Sequence, residues 1–172
     1  MAADQPTVYF AGAPGEEIAV PFERMSELVD RAFAGEWWTI DPGKVERFEE
    51  GTYLHELAFP WAEATFPDGI VEGFHLLSLL DYMLNPILRL RGGDSFGWNY
   101  GLDRVRFVSP ITVQDRIRVT GRVAEVRPKD GGFLIRQDCA IEVEGREKPG
   151  VVAEWWVFWL LHGPLANFRS DT

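Results

Sequence analysis

The segment that most constrains the fold is the apolar run DGIVEGFHLLSLLDYMLNPILRLRGG, residues 68–93. Within it, apolar side chains recur every three or four residues, which is the spacing of one helix face: Leu76, Leu77, Leu80, Met83 and Leu84. Further apolar residues widen that face, so the helix should be buried on most of its sides. We predict a central helix that begins just after Gly73 and ends near Leu84, or that continues through Pro86 with a kink.

The second half of the chain has a period of two residues instead of about 3.6. Polar and apolar side chains alternate over four long stretches, which predicts strands: residues 101–110, 115–128, 131–145 and 150–163. KDGG predicts a hairpin turn between the second and third stretches, and EGREKPG joins the third and fourth. We expect an antiparallel meander in an α+β fold, with the sheet wrapped around the buried helix. Its exposed edge favours pairing with a second chain.

The N-terminal part of the chain carries weaker signals. Residues 1–21 contain Gly and Pro at several positions and little periodicity, so we interpret them as an extended arm. Residues 22–33 place apolar side chains at helical spacing, which predicts a helix. Asp41 followed by Pro42 is a helix N-cap signal, and Gly51 is a plausible end for that helix.

The length of 172 residues fits a single domain. We divide it into an N-terminal arm and helix at residues 1–39, a main domain at 40–164 and a C-terminal tail at 165–172.

Composition excludes several classes of function. A net charge of -10 repels phosphate backbones, so we expect no nucleic-acid partner. The single cysteine, Cys139, excludes an intramolecular disulfide and a CxxC metal site, and it is compatible with a cytoplasmic protein. The N-terminus lacks the basic and apolar regions of a signal peptide. No apolar stretch reaches the ~18 residues of a membrane span, so we expect no membrane partner.

Two stretches, IVEGFHLLSLL from Ile70 and NYGLDRVRFVSPITVQDRIRVTGRV from Asn99, resemble the MaoC-like dehydratase family, and most closely its NodN-like branch. The resemblance covers about residues 40–162. It implies the hot-dog fold, in which an antiparallel sheet wraps a long central helix, usually in a dimer. It also implies hydration of an enoyl-CoA thioester to a 3-hydroxyacyl-CoA in fatty acid metabolism, or the reverse dehydration, without a metal or another cofactor.

The stretch EEGTYLHEL, residues 49–57, contains the candidate acid–base pair. In the family, an Asp precedes a His by five residues, and a His-Gly pair farther along starts the central helix. His55 and Gly73 are eighteen residues apart, which agrees with the family, and Glu50 stands five residues before His55. The resemblance therefore implies that Glu50 and His55 are the acid–base pair and that the Gly73 amide binds the thioester oxygen.

These residue types suit the chemistry. Adding water to an enoyl thioester needs a base to activate the water and an acid to protonate the α-carbon. The thioester oxygen gains negative charge, which an N–H group at a helix N-terminus stabilises. Two alternatives stay open: a rival alignment removes four residues and the catalytic acid with them, and Glu49 could replace Glu50.

Glu72, Phe74, Asn99 and Tyr100 are predicted to bind the substrate. Asn99 and Tyr100 open the first long strand, near the mouth of the site in this fold, although a strand start and a core ring are the alternative. We interpret His75 as a hydrogen-bonded core histidine rather than a second base. One or two arginines could contact the CoA phosphates, chosen from Arg104, Arg106, Arg116 and Arg118.

Trp37, Trp38 and Trp61 border the predicted site and suggest a pocket for a bulky acyl group. The sequence thus predicts an acyl-CoA hydratase or dehydratase that forms a homodimer or a higher homo-oligomer, with a hetero-oligomer as another option. Two alternatives are a non-catalytic hot-dog subunit, which binds an acyl thioester or supports an active partner, and a hot-dog thioesterase.

Overall fold

The computed structural model describes residues 5–13, 15–57, 65–92 and 95–161. Its strands, in chain order, are β1 (Thr7–Ala13), β2 (Glu16–Pro21), β3 (Ala32–Ala34), β4 (Trp38–Thr39), β5 (Leu88–Arg91), β6 (Ser95–Phe107), β7 (Arg116–Lys129), β8 (Gly132–Val143) and β9 (Val151–Leu161). The α-helices of this part are α1 (Pro42–Gly51) and α2 (Gly73–Leu84), and two 3₁₀ helices span Phe22–Leu28 and Leu54–Glu56.

The strands form two antiparallel sheets. The larger has the order β3–β7–β8–β9–β6, with β4 also paired to β7, and the smaller has the order β2–β1–β5. β7, β8 and β9 form a meander as predicted. The first strand of the predicted four-strand meander, β6, was expected beside β7 but pairs with β9 at the opposite edge, so that part of the prediction is wrong. Alternating side chains assign the faces of a strand but not its neighbours, and the 108–115 connection carries the chain across the sheet.

The central helix is confirmed as predicted. α2 begins at Gly73 and ends at Leu84. A turn follows, in which the amide of Ile87 donates a hydrogen bond to the carbonyl of Leu84 at 2.9 Å. The helix therefore does not continue through Pro86. Its buried apolar side chains join one core with the inner face of the sheet: Leu76, Leu80, Met83 and Leu84. This is the α+β, sheet-around-helix layout that the sequence indicated.

The rings of β9 alternate between the two faces of the sheet, as expected. Trp155 is buried on the inner face, whereas Trp156 lies outside. Trp156 donates its Nε1–H to Asp103 at 2.8 Å, and the guanidinium groups of Arg127 and Arg136 lie 4.9 and 5.7 Å from its ring centroid. Side chains of this chain therefore cover the outer ring of Trp156, so this ring needs no partner chain to cover it.

The N-terminal predictions need correction. The described part of the arm forms the β1–β2 hairpin, and residues 22–33 form a short 3₁₀ helix and β3 instead of one α-helix. Phe22, Met25 and Leu28 are all buried, and a spacing of three stacks side chains on one face of a 3₁₀ helix. These residues share the core of the main sheet.

Two local predictions are confirmed. The Asp41 carboxylate caps α1 by accepting a hydrogen bond from the Gly43 amide at 2.9 Å. Asp130 and Gly131 both have positive φ, 44° and 81°, in the tight turn between β7 and β8, as a two-residue hairpin turn requires.

Gly121 offers a test of the sheet packing. A methyl group there would lie 2.0 Å from the Asp138 carbonyl oxygen and 2.9 Å from the Phe33 ring. We expect Gly121→Ala to lower the free energy of unfolding by about 1–3 kcal/mol or more, because overpacking forces the strands apart. Urea unfolding measures this loss.

The matched control is Gly51→Ala at the end of α1, where a methyl group would meet no atom within 4 Å. It should leave stability unchanged or slightly raised, since alanine favours helices. Equal unfolding midpoints for Gly121→Ala and the unchanged protein would contradict this packing.

Candidate active site

The first turn of α2 is capped by its own preceding residue. The Glu72 carboxylate accepts hydrogen bonds from the amides of Phe74 at 2.7 Å and His75 at 3.1 Å. A carboxylate at this end is stabilised by the helix dipole. Within the described residues, the amide of Gly73 makes no hydrogen bond, so it is the donor of this turn that remains available.

Gly73 is a close-packed position. The ring of Phe107, on β6, lies against its Cα, and a methyl group on Gly73 would come within 2.8 Å of that ring. Phe107 also makes an edge contact with Phe74, with 6.5 Å between centroids. Glycine therefore lets the β6 edge approach the start of α2, and Phe74, 69% exposed, lies beside that contact.

The C-terminal end of α1 packs on the same turn of α2. The rings of Phe48 and His75 stack with 4.5 Å between centroids and 10° between planes. His75 is only 5% exposed, as the core interpretation expected, but its Nδ1 finds no hydrogen-bond partner in the described ranges. Burial lowers the pKa of His75, while the nearby carboxylates of Glu72 and Glu49 oppose that shift.

His55 lies on the short 3₁₀ helix that follows α1. Tyr53, in the left-handed region with φ 62°, turns the chain back, and the Nδ1 of His55 lies 3.4 Å from the backbone carbonyl oxygen of Glu49. The imidazole is exposed. The segment that carries it is thus tied to the end of α1, and α1 is tied to the first turn of α2.

Glu50, the proposed partner of His55, is exposed at the end of α1. Its backbone carbonyl accepts a hydrogen bond from the Tyr53 amide at 3.2 Å, but its carboxylate makes no hydrogen bond or ion pair with His55 or another described side chain. Glu49, the alternative acid, is partly buried and closer to His75. The catalytic roles of Glu50 and His55 stay predictions.

The two predicted substrate contacts on β6 point to opposite faces. Asn99 lines a cavity beside the C-terminal half of α2, whereas Tyr100 is exposed on the other face, 5.8 Å from the Lys129 ammonium. Asn99 is therefore placed where an acyl group could lie.

Three of the four candidate phosphate-binding arginines already pair with carboxylates: Arg104 with Glu154 at 3.2 Å, Arg116 with Glu144 at 2.8 Å and Arg118 with Glu142 at 2.8 Å. Arg106 has no carboxylate partner among the described residues and bonds the Val105 carbonyl. Of the four, Arg106 is the best placed to meet a phosphate.

Several cavities flank the C-terminal half of α2, and two of them bear on the predictions. One, of about 670 Å³, lies between α2, β5, β6, β8 and β9. The other, of about 620 Å³, includes Trp38 and Tyr82, whose rings make an edge contact at 5.4 Å. Trp37 lies instead under the guanidinium of Arg118, at 4.5 Å, and Trp61 falls outside the described residues.

The sequence analysis missed Gln137, which lines the first cavity. It is 1% exposed, and its Oε1 has no hydrogen-bond partner in the described part of the chain. The signal was present in the sequence: in the alternation of β8, Gln137 shares a face with Ile135, Cys139 and Ile141, all buried.

No cluster of three or more histidine, cysteine, aspartate or glutamate side chains suited to a metal ion occurs in the residues that the structure describes. None of the described helices is both long and apolar enough to span a membrane.

Comparison with known proteins decides the family. The 3-hydroxyacyl-thioester dehydratase Z of Mycobacterium tuberculosis is 33% identical over 144 residues, which cover 77% of this chain and 93% of that protein. Nodulation protein N of Rhizobium leguminosarum bv. viciae is 31% identical over 127 residues, 70% of this chain and 78% of that protein. The chain belongs to the MaoC-like dehydratase family.

No family model matches the chain, but solved structures agree with the MaoC-like fold. The MaoC-like dehydratase from Rhodospirillum rubrum superposes with a TM-score of 0.60 at 12% identity, over 79% of this chain and 94% of that chain. The (R)-hydratase from A. caviae involved in PHA biosynthesis superposes with a TM-score of 0.54 at 22% identity, over 78% of this chain and 96% of that chain. These likenesses confirm the hot-dog fold.

The buried imidazole of this MaoC-like protein predicts a pH effect on stability. Because burial lowers the pKa of His75, the unfolded chain binds that proton more readily than the folded chain does. The free energy of unfolding therefore keeps its full value above the ordinary histidine pKa of about 6.5 and decreases as the pH falls from there through the lowered pKa of the folded state. Urea unfolding between pH 8 and pH 5 should show that the free energy of unfolding decreases less with falling pH in His75→Leu than in the unchanged protein.

His55→Gln is the matched control, because His55 is exposed. Its pH dependence should follow that of the unchanged protein. If His75→Leu and the unchanged protein lost stability in parallel, the lowered pKa of His75 would be refuted.

Proposed function

We propose that this protein hydrates an enoyl-CoA thioester to a 3-hydroxyacyl-CoA, or catalyses the reverse dehydration. The observation that carries the proposal is the junction of the His55 segment with the start of α2, made through Glu49 and the Phe48–His75 stack. Through these contacts the segment with the exposed His55 is linked to the helix that begins at Gly73, whose amide makes no hydrogen bond within the described residues. The dehydratase named among the relatives supports the same reaction class.

In this mechanism, His55 and Glu50 share the transfer of protons. One activates the water that attacks the β-carbon, and the other delivers the proton that the α-carbon receives. The Glu50 carboxylate makes no hydrogen bond or ion pair with a described side chain, so no such bond has to break for it to turn toward His55 when substrate binds. Catalytic hydrogen bonds commonly tighten only in the complex with substrate.

The Gly73 amide would hold the thioester oxygen. Negative charge develops on this oxygen in the transition state, and a fixed N–H group at a helix start stabilises it. Glu72 already occupies the next two amides, which leaves Gly73 as the available donor. Phe74 and Phe107, exposed beside it, would pack on the thioester arm of the substrate.

A second candidate function is an acyl-thioester-binding subunit without its own turnover. The observation that favours it is the lack of any contact between the carboxylate of Glu50 and His55 in the described residues. In this reading, the cavities and the helix start bind the thioester, while a partner chain supplies the catalytic acid.

We also propose that β6 is the contact edge of a homodimer. It is the terminal strand of the larger sheet and exposes several large apolar side chains: Phe96, Tyr100, Leu102 and Phe107. An uncovered apolar edge invites a second chain. The interface between two copies would lie next to Gly73, because the ring of Phe107 on β6 packs against Gly73.

The catalytic proposal is tested with a panel of enoyl-CoA substrates. Hydration removes the absorbance of the conjugated thioester without releasing free thiol. His55→Ala should lower kcat/KM by roughly 10²–10⁴-fold, the usual contribution of a general acid or base. Glu50→Gln should also lower it, and by more than Glu49→Gln.

Glu56→Ala is the control, because Glu56 is an exposed carboxylate on the same 3₁₀ turn as His55. It should keep full turnover. Thiol release would indicate a thioesterase, and binding without turnover would indicate the subunit. Full hydratase activity in His55→Ala would rule out our assignment of the base.

A further inference from the structure

The cavity of about 670 Å³ beside α2 has the size of a small-molecule site, which is usually about 300–1,000 Å³. Its walls come from the C-terminal half of α2, from β5 and from the inner faces of β6, β8 and β9. Phe96, Trp155 and Trp159 give it broad aromatic surfaces. Its lining combines large rings with polar groups, so it differs from a plain hydrocarbon channel.

Gln137 is the unusual member of the lining. Only 1% of Gln137 is exposed, and its Oε1 has no hydrogen-bond partner among the described residues. The neighbours on its face, Ile135 and Cys139, are apolar and buried. A buried amide without its hydrogen bond destabilises a protein, and an apolar residue of the same shape does not. Packing alone therefore does not account for glutamine here.

A second polar atom of the same cavity is also unsatisfied. The Nε–H of Arg89, on β5, is buried without a partner in the described ranges, although another nitrogen of the guanidinium pairs with Glu17. Two residues of the lining thus carry an unused acceptor and an unused donor, both buried, which a ligand could reach through a small shift of either side chain. A hydroxyl group suits such a site because it both donates and accepts.

The cavity lies farther along α2 than Gly73. Asp81, which lines it, follows Gly73 by eight residues. At about 1.5 Å per residue, Asp81 lies roughly 12 Å along the axis from Gly73. An acyl group held by its thioester at Gly73 would have to extend about this far along the helix to reach the cavity.

We infer that the cavity binds the distal part of a bulky, ring-bearing acyl group that carries a hydroxyl, and that Gln137 is the residue that selects it. The inference rests on the proposed function for the position of the thioester. The hydroxyl donates to Oε1 of Gln137, while the ring packs on Trp155 and Trp159. Glutamine is retained for substrate choice although it weakens the empty fold.

The test compares two ω-cyclohexyl enoyl-CoA substrates that differ only in a hydroxyl on the ring. The unchanged protein should prefer the hydroxylated substrate in kcat/KM, and Gln137→Leu should lower this preference about tenfold, as the loss of one buried hydrogen bond predicts. The same variant should melt at a higher temperature, because it removes an unsatisfied buried group. A residue with only a structural role would lower the Tm and leave the preference unchanged.

Gln137→Met is the second variant in case leucine does not fit, and Ile135→Val is the matched control on the same face of β8, outside the cavity lining. The control should lower the Tm slightly and keep the substrate preference. A preference that is absent in the unchanged protein, or that survives in both Gln137 variants, overturns the inference. So does a stronger preference for the corresponding ring ketone.

Calorimetric binding of the two saturated acyl-CoA analogues separates this inference from the proposed function. If neither enoyl-CoA is hydrated but the hydroxylated analogue binds more tightly, and Gln137→Leu abolishes the difference, the cavity inference holds and the catalytic proposal fails. If both substrates are hydrated at equal rates and both analogues bind equally, the catalytic proposal holds and the cavity inference fails.

Discussion

The burial of α2 against the inner face of the sheet is the contact on which the other features depend. Its apolar side chains join the core formed by β7, β8 and β9, and they fix both ends of the helix relative to the strands. The N-terminal end then meets α1 and the β6 edge, and the C-terminal half borders several cavities. One buried helix thereby sets both the candidate reaction centre and the space for an acyl group.

The electrostatics of the helix start distinguish this chain from the pattern of its family. Where the family usually has histidine, Glu72 places a carboxylate on two backbone amides. That contact stabilises the helix, but it brings negative charge close to the proposed oxyanion position. His75, about one turn farther along, is buried and stacks on Phe48. Burial lowers the pKa of His75, and the carboxylates of Glu72 and Glu49 oppose that shift. The structure therefore brings Glu49, Glu72 and the imidazole of His75 together at the N-terminal end of α2.

The other end has the opposite character. There the unsatisfied groups are neutral or cationic, and they lie among aromatic rings. Gln137 interrupts an otherwise apolar face, at a cost in stability that a bound ligand would offset. In our proposals, reaction chemistry and substrate choice therefore lie at different points along a single helix, about 12 Å apart.

Much of the architecture follows from the sequence because local periodicity reports burial directly. It correctly predicted both ends of α2, the Asp41 cap of α1, the KDGG turn and the alternating faces of β9. It misread residues 22–33, because spacings of three and of 3.6 are hard to tell apart over two turns. The family resemblance placed His55 and Gly73, and the fold connects their segments.

Tertiary structure alone decided which strands are neighbours and which polar groups remain unsatisfied. The pairing of β6 with β9 depends on contacts between residues distant in sequence, which no local pattern encodes. The stacking of Phe48 on His75 and the unused oxygen of Gln137 likewise exist only once separate elements meet. The sequence by itself determined most of the helices and strands and their inner faces, because apolar side chains are buried and the spacing of apolar residues differs between helices and strands. The way those faces enclose a site was decided by packing.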